Sequence, residues 1–336
     1  MTRGMRRWSW LLALFLWLSV LHAAADSQTP AGPGESSAVA LRVRELGDRD
    51  LRVRWYAVYT LGRMGPKAAA AVSALAKVLA NREEDEYVRG GAAWAIGRIG
   101  PGGDASVPAL RAALASTLDS VRRNAAEGLG ELGPSARPAV DALVAALADK
   151  DAPVRVCAAV ALWRIEHHAR AIPLLADLLR HGDETAAYDA AMALGRLGRD
   201  AEMALPDLAA ALRDSRGDVA RAAAYALGRI GRPALPAIGK ALGDSSEALR
   251  CRAAEALCWI GPEAVPGLIE ALGDASPTVR RTAAHALGRL GADAGRTVPQ
   301  LLSALRDADP AVREEAARAL ERIREQGLEH ETAPVF

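Results

Sequence analysis

The chain has 336 residues, with 42 Lys+Arg against 41 Asp+Glu, a formal charge of +1 and a mean hydropathy of +0.03. That balance gives no bulk affinity for a phosphate backbone, which argues against nucleic-acid binding. Hydrophobic residues make up 51% of the chain but aromatics only 4%, so its core must be built from Ala, Leu, Val and Ile.

In chain order, Arg3, Arg6 and Arg7 precede an apolar run from Trp8 to Leu21, and Ala23-Ala24-Ala25 supplies small residues before Asp26. This is the three-part layout of a secretory signal peptide, residues 1–25, cleaved after Ala25. The run falls short of the about 20 residues of a bilayer span, which argues against a retained membrane anchor. Loss of three arginines leaves 39 basic against 41 acidic residues, a mature charge near −2, in an exported protein, periplasmic or secreted. No stable membrane insertion is expected after cleavage. Residues 26–36 are rich in Pro, Gly and Ser and read as a disordered linker with nothing to bury.

From Ser37 onward the chain repeats one sentence. Its clearest copy runs from Val279 to Gly291, and the same wording starts at Val53, Val88, Val121, Val154, Ala186, Val219, Leu249 and Val312. These nine copies start 30 to 35 residues apart, the spacing of an array of stacked units. Counting the first residue of a copy as position 0, apolar residues recur at 0, 4, 8 and 11, one face of a helix. Alanine at positions 4, 5 and 7 keeps that face thin, so neighbouring helices can approach closely. Between copies lies a second, shorter pattern such as Val265-Pro266-Gly267-Leu268, with proline at 108, 173, 206, 236, 266 and 299. Proline is tolerated in a first helical turn, where its missing N–H would have no partner anyway.

The punctuation predicts where the long helices stop. Glycine closes them at 65, 100, 133, 198, 231, 261 and 291, the place for a backbone with positive φ. A second glycine stands inside the helix at 62, 97, 130, 195, 228 and 288. Glycine costs a helix about 1 kcal/mol against alanine, so its recurrence at one register predicts a neighbouring backbone close by. The fourth long helix ends Trp163-Arg164-Ile165-Glu166-His167-His168 without either glycine, and the fifth has Ala186-Ala187 in place of Val-Arg. A change of curvature or a looser seam is expected there.

The order of Pro-x-Leu helix, Asp turn and Val-Arg-x-x-Ala-Ala helix resembles the HEAT repeat, in the short form of bilin-lyase-type HEAT-like proteins. The resemblance implies an all-α fold, an α-solenoid winding as a right-handed superhelix of about nine helix pairs over residues 37–326. Residues 327–336 are left as a C-terminal tail. It also implies that the second helix of each pair lines the concave side, where such scaffolds bind partners. The alternative it offers is a bilin-lyase-like lyase or lyase chaperone, chemistry that belongs with cytoplasmic phycobiliproteins and sits badly with export.

No catalytic constellation is found, and no cofactor or metal is expected. His167 and His168 point about 100° apart on a helix and do not converge on one metal. HEAT-type hydroxylases carry His-Glu pairs in several units, whereas here the only His-Glu step is His330-Glu331. Cys157, Cys251 and Cys258 each lie inside a long helix and read as small buried thiols. Aspartates at 48, 149, 244, 274 and 307, each six residues before an arginine, read as a ladder within the turns of each unit, capping the coming helix. Arginines at 63, 98, 164, 196, 229, 289 and 322 sit in last turns, where the helix dipole favours a cation.

The aromatic residues carry the functional expectation. Trp55, Tyr56, Tyr59, Tyr87, Trp94, Tyr225 and Trp259 all lie on long helices, and Tyr59, Trp94 and Tyr225 share position 6, off the core stripe. On a curved inner surface such rings are anchors for a protein or peptide partner. The competing reading, that they fill gaps between alanine-rich helices, stays open at this level.

Overall fold

A computed structural model describes residues 35–102 and 104–332. The proposed signal peptide and nearly all of the linker lie outside the described residues. The chain order is α1 (Glu35–Glu45), α2 (Leu51–Met64), α3 (Val72–Ala80), α4 (Glu86–Ile99), α5 (Ser106–Ala113) and α6 (Asp119–Leu132). There follow α7 (Val140–Ala146), α8 (Ala152–Glu166), α9 (Ala171–His181), α10 (Glu184–Leu197), α11 (Leu205–Ala211) and α12 (Gly217–Ile230). The last three pairs are α13 (Leu235–Leu242), α14 (Glu247–Leu257), α15 (Val265–Leu272), α16 (Pro277–Leu290), α17 (Val298–Ala304) and α18 (Pro310–Thr332). No strand occurs among the described residues. This is an α-solenoid in which each odd-numbered, mostly short helix packs on the long, even-numbered helix that follows it. The first helix starts at Glu35 and the last runs on to Thr332, into the stretch read as a tail.

The repeat explains the layers. Position 4 is alanine in every unit, from Ala57 to Ala316, and each is fully buried. Position 8 is Leu or Ile, as at Leu61, Ile96, Leu129 and Leu162, and these are also fully buried. Each such side chain stabilises the fold by about 1.5–3 kcal/mol through burial. Consecutive long helices lie against each other far more intimately than consecutive short ones do. Glycines in the last turns of the long helices allow this at two of the seams. A Cβ on Gly97 would stand 2.5 Å from the Gly128 Cα of the next long helix, and one on Gly130 would stand 3.1 Å from the Ala161 Cα.

All seven closing glycines have positive φ, from 57° at Gly133 to 104° at Gly261. Their ψ values are near −140°, as in Gly65 (58°, −138°), so this is not the left-handed helical well but a region that side chains avoid. His167 takes the same place in the fourth unit at φ 51°, ψ 43°, a left-handed cap that a side chain tolerates. The seam beyond it is looser: α8 carries Trp163 where its neighbours have glycine, and α8 meets α10 over a smaller area than α6 meets α8. The Trp163 indole instead donates to Asp200 (3.0 Å), in the turn after α10.

The Asp/Arg ladder runs between units and not within them, which corrects the sequence reading. The arginine at position 1 donates to the main-chain carbonyl of its own turn aspartate, as Arg280 does to Asp274 O at 2.9 Å. Its remaining N–H groups clasp the carboxylate of the next turn: Arg122 with Asp149, Arg250 with Asp274, Arg280 with Asp307, and Arg54 with Glu84, at 2.7–2.9 Å. Each turn aspartate also accepts the N–H two residues on (Ser276 N to Asp274 Oδ1, 2.7 Å). The residue so placed (Asp50, Asp151, Ser246, Ser276) is the one that caps the helix. The ladder is interrupted at Arg89, which donates to Leu79 O with Ser116 in the next turn. It is interrupted again at Arg155, whose bonds among the described residues go to Asp149 O and Lys150 O because His181 stands in the next turn, and it resumes at Arg250.

Candidate functional site

Trp55 stands at position 2 of its long helix, Tyr56 at 3, Tyr59, Trp94 and Tyr225 at 6 and Trp259 at 10, while Tyr87 precedes position 0 by one residue. At the N-terminal end Trp55 and Tyr59, one turn apart on α2, stack with ring centroids 5.3 Å apart and planes 6° from parallel. Tyr59 in turn stacks on Trp94 of α4 (5.9 Å, 12°), and the Arg63 guanidinium lies 5.9 Å from the Tyr59 centroid. Three rings thus form one stack across two units. Trp94 lies directly over Gly62, and any side chain at Gly62 would meet its ring. That glycine makes room for a ring and not for a neighbouring backbone, and Trp94 serves packing as well as surface.

The other N-terminal candidates do not join the stack. Tyr56 turns toward the short-helix layer, under the Arg42 guanidinium of α1 at 5.4 Å, so it does not share the side of Trp55 and Tyr59. Tyr87 stands at the start of α4, 69% exposed, and makes no ring contact among the described residues.

The second cluster lies on units six to eight. Tyr225 of α12 meets Trp259, just past α14, edge to face (5.2 Å, 84°), and Arg289 of α16 covers the Trp259 ring at 4.4 Å. Tyr225 also lies over Gly195, and Trp259 over Gly228. Trp259 opens into a groove of about 460 Å³ walled by Glu255, Arg281, His285, Arg289 and Glu315. A second groove of about 430 Å³, walled by Arg221, Glu247, Cys251, Arg252 and Thr278, adjoins it through the shared Glu255. The structure does not bring the two ring clusters together; units three to five separate them.

Charge in the grooves is mixed and mostly paired. His285 Nδ1 lies 2.8 Å from Glu315 Oε1, and Arg318 reaches the other oxygen at 3.2 Å. Burial would raise the Glu315 carboxyl, but the His285 and Arg318 bonds outweigh it and hold the carboxyl below the ordinary value. Glu255 is pushed up by burial, with only longer-range help from Arg221 and Arg252. Asp189 of α10, on the same face, is raised for the same reason. The thiols are half-buried along this face and not in the core, and burial pushes Cys157 up to about 12. Sequence reasoning missed Glu255 and the grooves, although position 6 carries Glu127, Glu255, His285 and Arg318 as readily as it carries rings.

Among the described residues no group of three His, Cys, Asp or Glu side chains is placed to hold a metal, and no helix is long and apolar enough to cross a membrane.

The pattern of HEAT repeats matches the chain in overlapping windows from 39–130 through 140–226 to 265–335. No curated protein matches it. Among solved structures, an engineered protein is 25% identical over 88% of this chain and 92% of its own, with a TM-score of 0.39. Kap95p, in a study of its binding to RanGDP, is 15% identical over 88% of this chain, with a TM-score of 0.53. Kap95 in its complex with Nup1 gives 16% and 0.54, also over 88% of this chain. The chain spans 46% of the length of either Kap95 match. At that identity the likeness is one of fold alone.

Proposed function

We propose that this chain, which belongs to the HEAT-repeat family, is a non-enzymatic, exported scaffold that binds a protein or peptide on the open face of its long helices. The observation that carries the reading is the ring stack Trp55–Tyr59–Trp94, continuous across two units and capped by Arg63. Aromatic side chains and arginine are the residues that most often dominate binding at a protein interface. What supports reading this face as the inner one is the close approach of consecutive long helices at Gly97 and Gly130, since the layer whose helices come closest lies inside a curved stack. The Kap95 structures of the same fold are complexes or binding studies with protein partners, which supports a protein and not a small molecule as ligand.

Export rests on Arg3, Arg6, Arg7 and the apolar run to Leu21. Its test is the N-terminus of the secreted or periplasmic protein by mass spectrometry, expected at Asp26; a chain beginning at Met1 refutes cleavage. The binding test compares Trp55→Ala and Tyr59→Ala with the parent in capture from the exported fraction, alongside melting. Loss of capture at a melting temperature that still leaves the chain folded supports the site. Unchanged capture with a lowered melting temperature assigns the rings to packing and moves the site to Tyr225 and Trp259.

A further inference from the structure

The two ends of the solenoid are complementary halves of the seam that joins its own units. Counted back from the start of each repeat, Leu305 stands at position −7. Its counterparts Leu46, Leu114, Leu147, Leu179, Leu212 and Leu242 are buried to between 1% and 8% exposure and Leu272 is half-buried, whereas Leu305 is 36% exposed. Leu302 beside it, at position −10, is 52% exposed. Its counterpart Arg111 reaches the next unit, donating to Pro138 O at 3.4 Å, while at its counterpart Gly239 a Cβ would meet nothing within 4 Å.

The opposite end shows the matching half. Leu41 of α1, 47% exposed, stands at position −12. That position faces the preceding unit, since its counterpart Asp207 takes the Arg180 guanidinium at 3.0 Å and a Cβ on its counterpart Gly267 would meet Leu242 Cδ1 at 3.6 Å. Thus the pair Leu242 and Gly267 inside the chain corresponds to Leu305 and Leu41 at its ends.

The ladder is open at the same two ends, as it also is inside the chain at Arg89 and Arg155. Arg313 binds Asp307 O (2.7 Å) and Ala308 O (3.0 Å) of its own turn, as every rung arginine does, but meets no following carboxylate among the described residues. Asp48 holds the N–H of Asp50 (2.8 Å), as every rung aspartate does, but among the described residues no preceding arginine reaches its carboxylate. The exposed charges of α18, among them Glu314 and Glu321, close the long-helix layer against further stacking, whereas the short-helix layer exposes Leu302 and Leu305 beside Arg306.

We propose that the partner of both ends is a second copy of this chain, docked head to tail so that Leu302 and Leu305 of one copy cover Leu41 of the next and Arg313 clasps its Asp48. A contact of this kind is heterologous and adds copies until it closes a ring or runs open. It does not depend on the ring clusters, which lie on the other layer.

The test is sedimentation of the full chain over a concentration series. Mass is expected to rise with concentration in steps of one chain. Leu41→Glu and Leu305→Glu, at positions already exposed in the single chain, are each expected to sediment as monomers with unchanged melting. Mixed together they retain one intact end apiece, so the mixture should form a one-to-one dimer and nothing larger. Asp48→Asn, which keeps the oxygen that holds the turn, should weaken association at least tenfold and reduce its salt dependence. A parent chain that stays monomeric up to its solubility limit overturns the proposal. So do end variants that assemble like the parent, or a mixture that stays monomeric. An unchanged dissociation constant for Asp48→Asn removes the rung. Capture of a partner through Trp55 and Tyr59 should be the same in every end variant.

Discussion

Two glycine-to-alanine substitutions in this chain should have opposite signs. Gly97 lies in the last turn of α4 and Gly239 in α13, and as helical residues both would gain up to about 1 kcal/mol of helix propensity from a methyl group. At Gly239 the new Cβ meets nothing within 4 Å, so the gain should appear in full. At Gly97 it meets the Gly128 Cα at 2.5 Å and the Gly128 oxygen at 3.3 Å, both backbone atoms of α6. An ordinary contact begins near 3.4 Å, so the two helices must part by about 1 Å along their closest approach. Overpacking against atoms that cannot rotate away costs about 2–3 kcal/mol. Subtracting the propensity gain leaves Gly97→Ala destabilised by about 1–2 kcal/mol, while Gly239→Ala is stabilised. Guanidinium unfolding followed by circular dichroism would read both from the midpoint at constant slope. If Gly97→Ala moved the midpoint upward as Gly239→Ala does, the claim that glycine sets the spacing of the long helices would fail.

Asp274→Asn should cost about 1–3 kcal/mol at neutral pH, since it leaves Arg250 without its charged partner. The Arg250 hydrogen bond holds the Asp274 carboxyl below its ordinary 3.8, so its contribution is complete above that value and fades as pH falls through the lower folded one. The gap between parent and variant should therefore close in unfolding curves below that pH, and a gap constant down to pH 2 would refute the linkage. Cys157, pushed up to about 12 by burial, should react with a thiol reagent at pH 8 far more slowly in the folded chain than in denaturant; equal rates would place it in open solvent. Trp94→Ala should cost about 3 kcal/mol, because the ring fills the space over Gly62. Tyr87→Ala, at 69% exposure, should change stability by under about 0.5 kcal/mol, and a larger loss would show a packing contact of that ring.

The repeat wording by itself determined the helix pairs, their stripe of buried Val, Ala and Leu, and the closing glycines at 65, 100, 133, 198, 231, 261 and 291. These are local properties: a helical period and a positive φ are written in consecutive residues and need no neighbour to be read. The weak place in the array was legible in the same way, from the missing glycines around Trp163 and His167. Everything that depends on which unit a side chain leans toward was decided only by stacking. The aspartate six residues before each arginine looked like its partner, yet the carboxylate belongs to the arginine of the unit before, because a guanidinium at the first turn of one long helix reaches the next turn as easily as its own. Trp55, Tyr56 and Tyr59 looked equivalent, but one residue of offset from Trp55, about 100° around the helix, sends Tyr56 beneath Arg42 while the other two stack toward Trp94. The glycine at 62 and the glycine at 97 share a register and differ in what fills the space, a ring in one case and a backbone in the other. That difference is set by the residue opposite, some thirty positions away, and no pattern within a single repeat contains it.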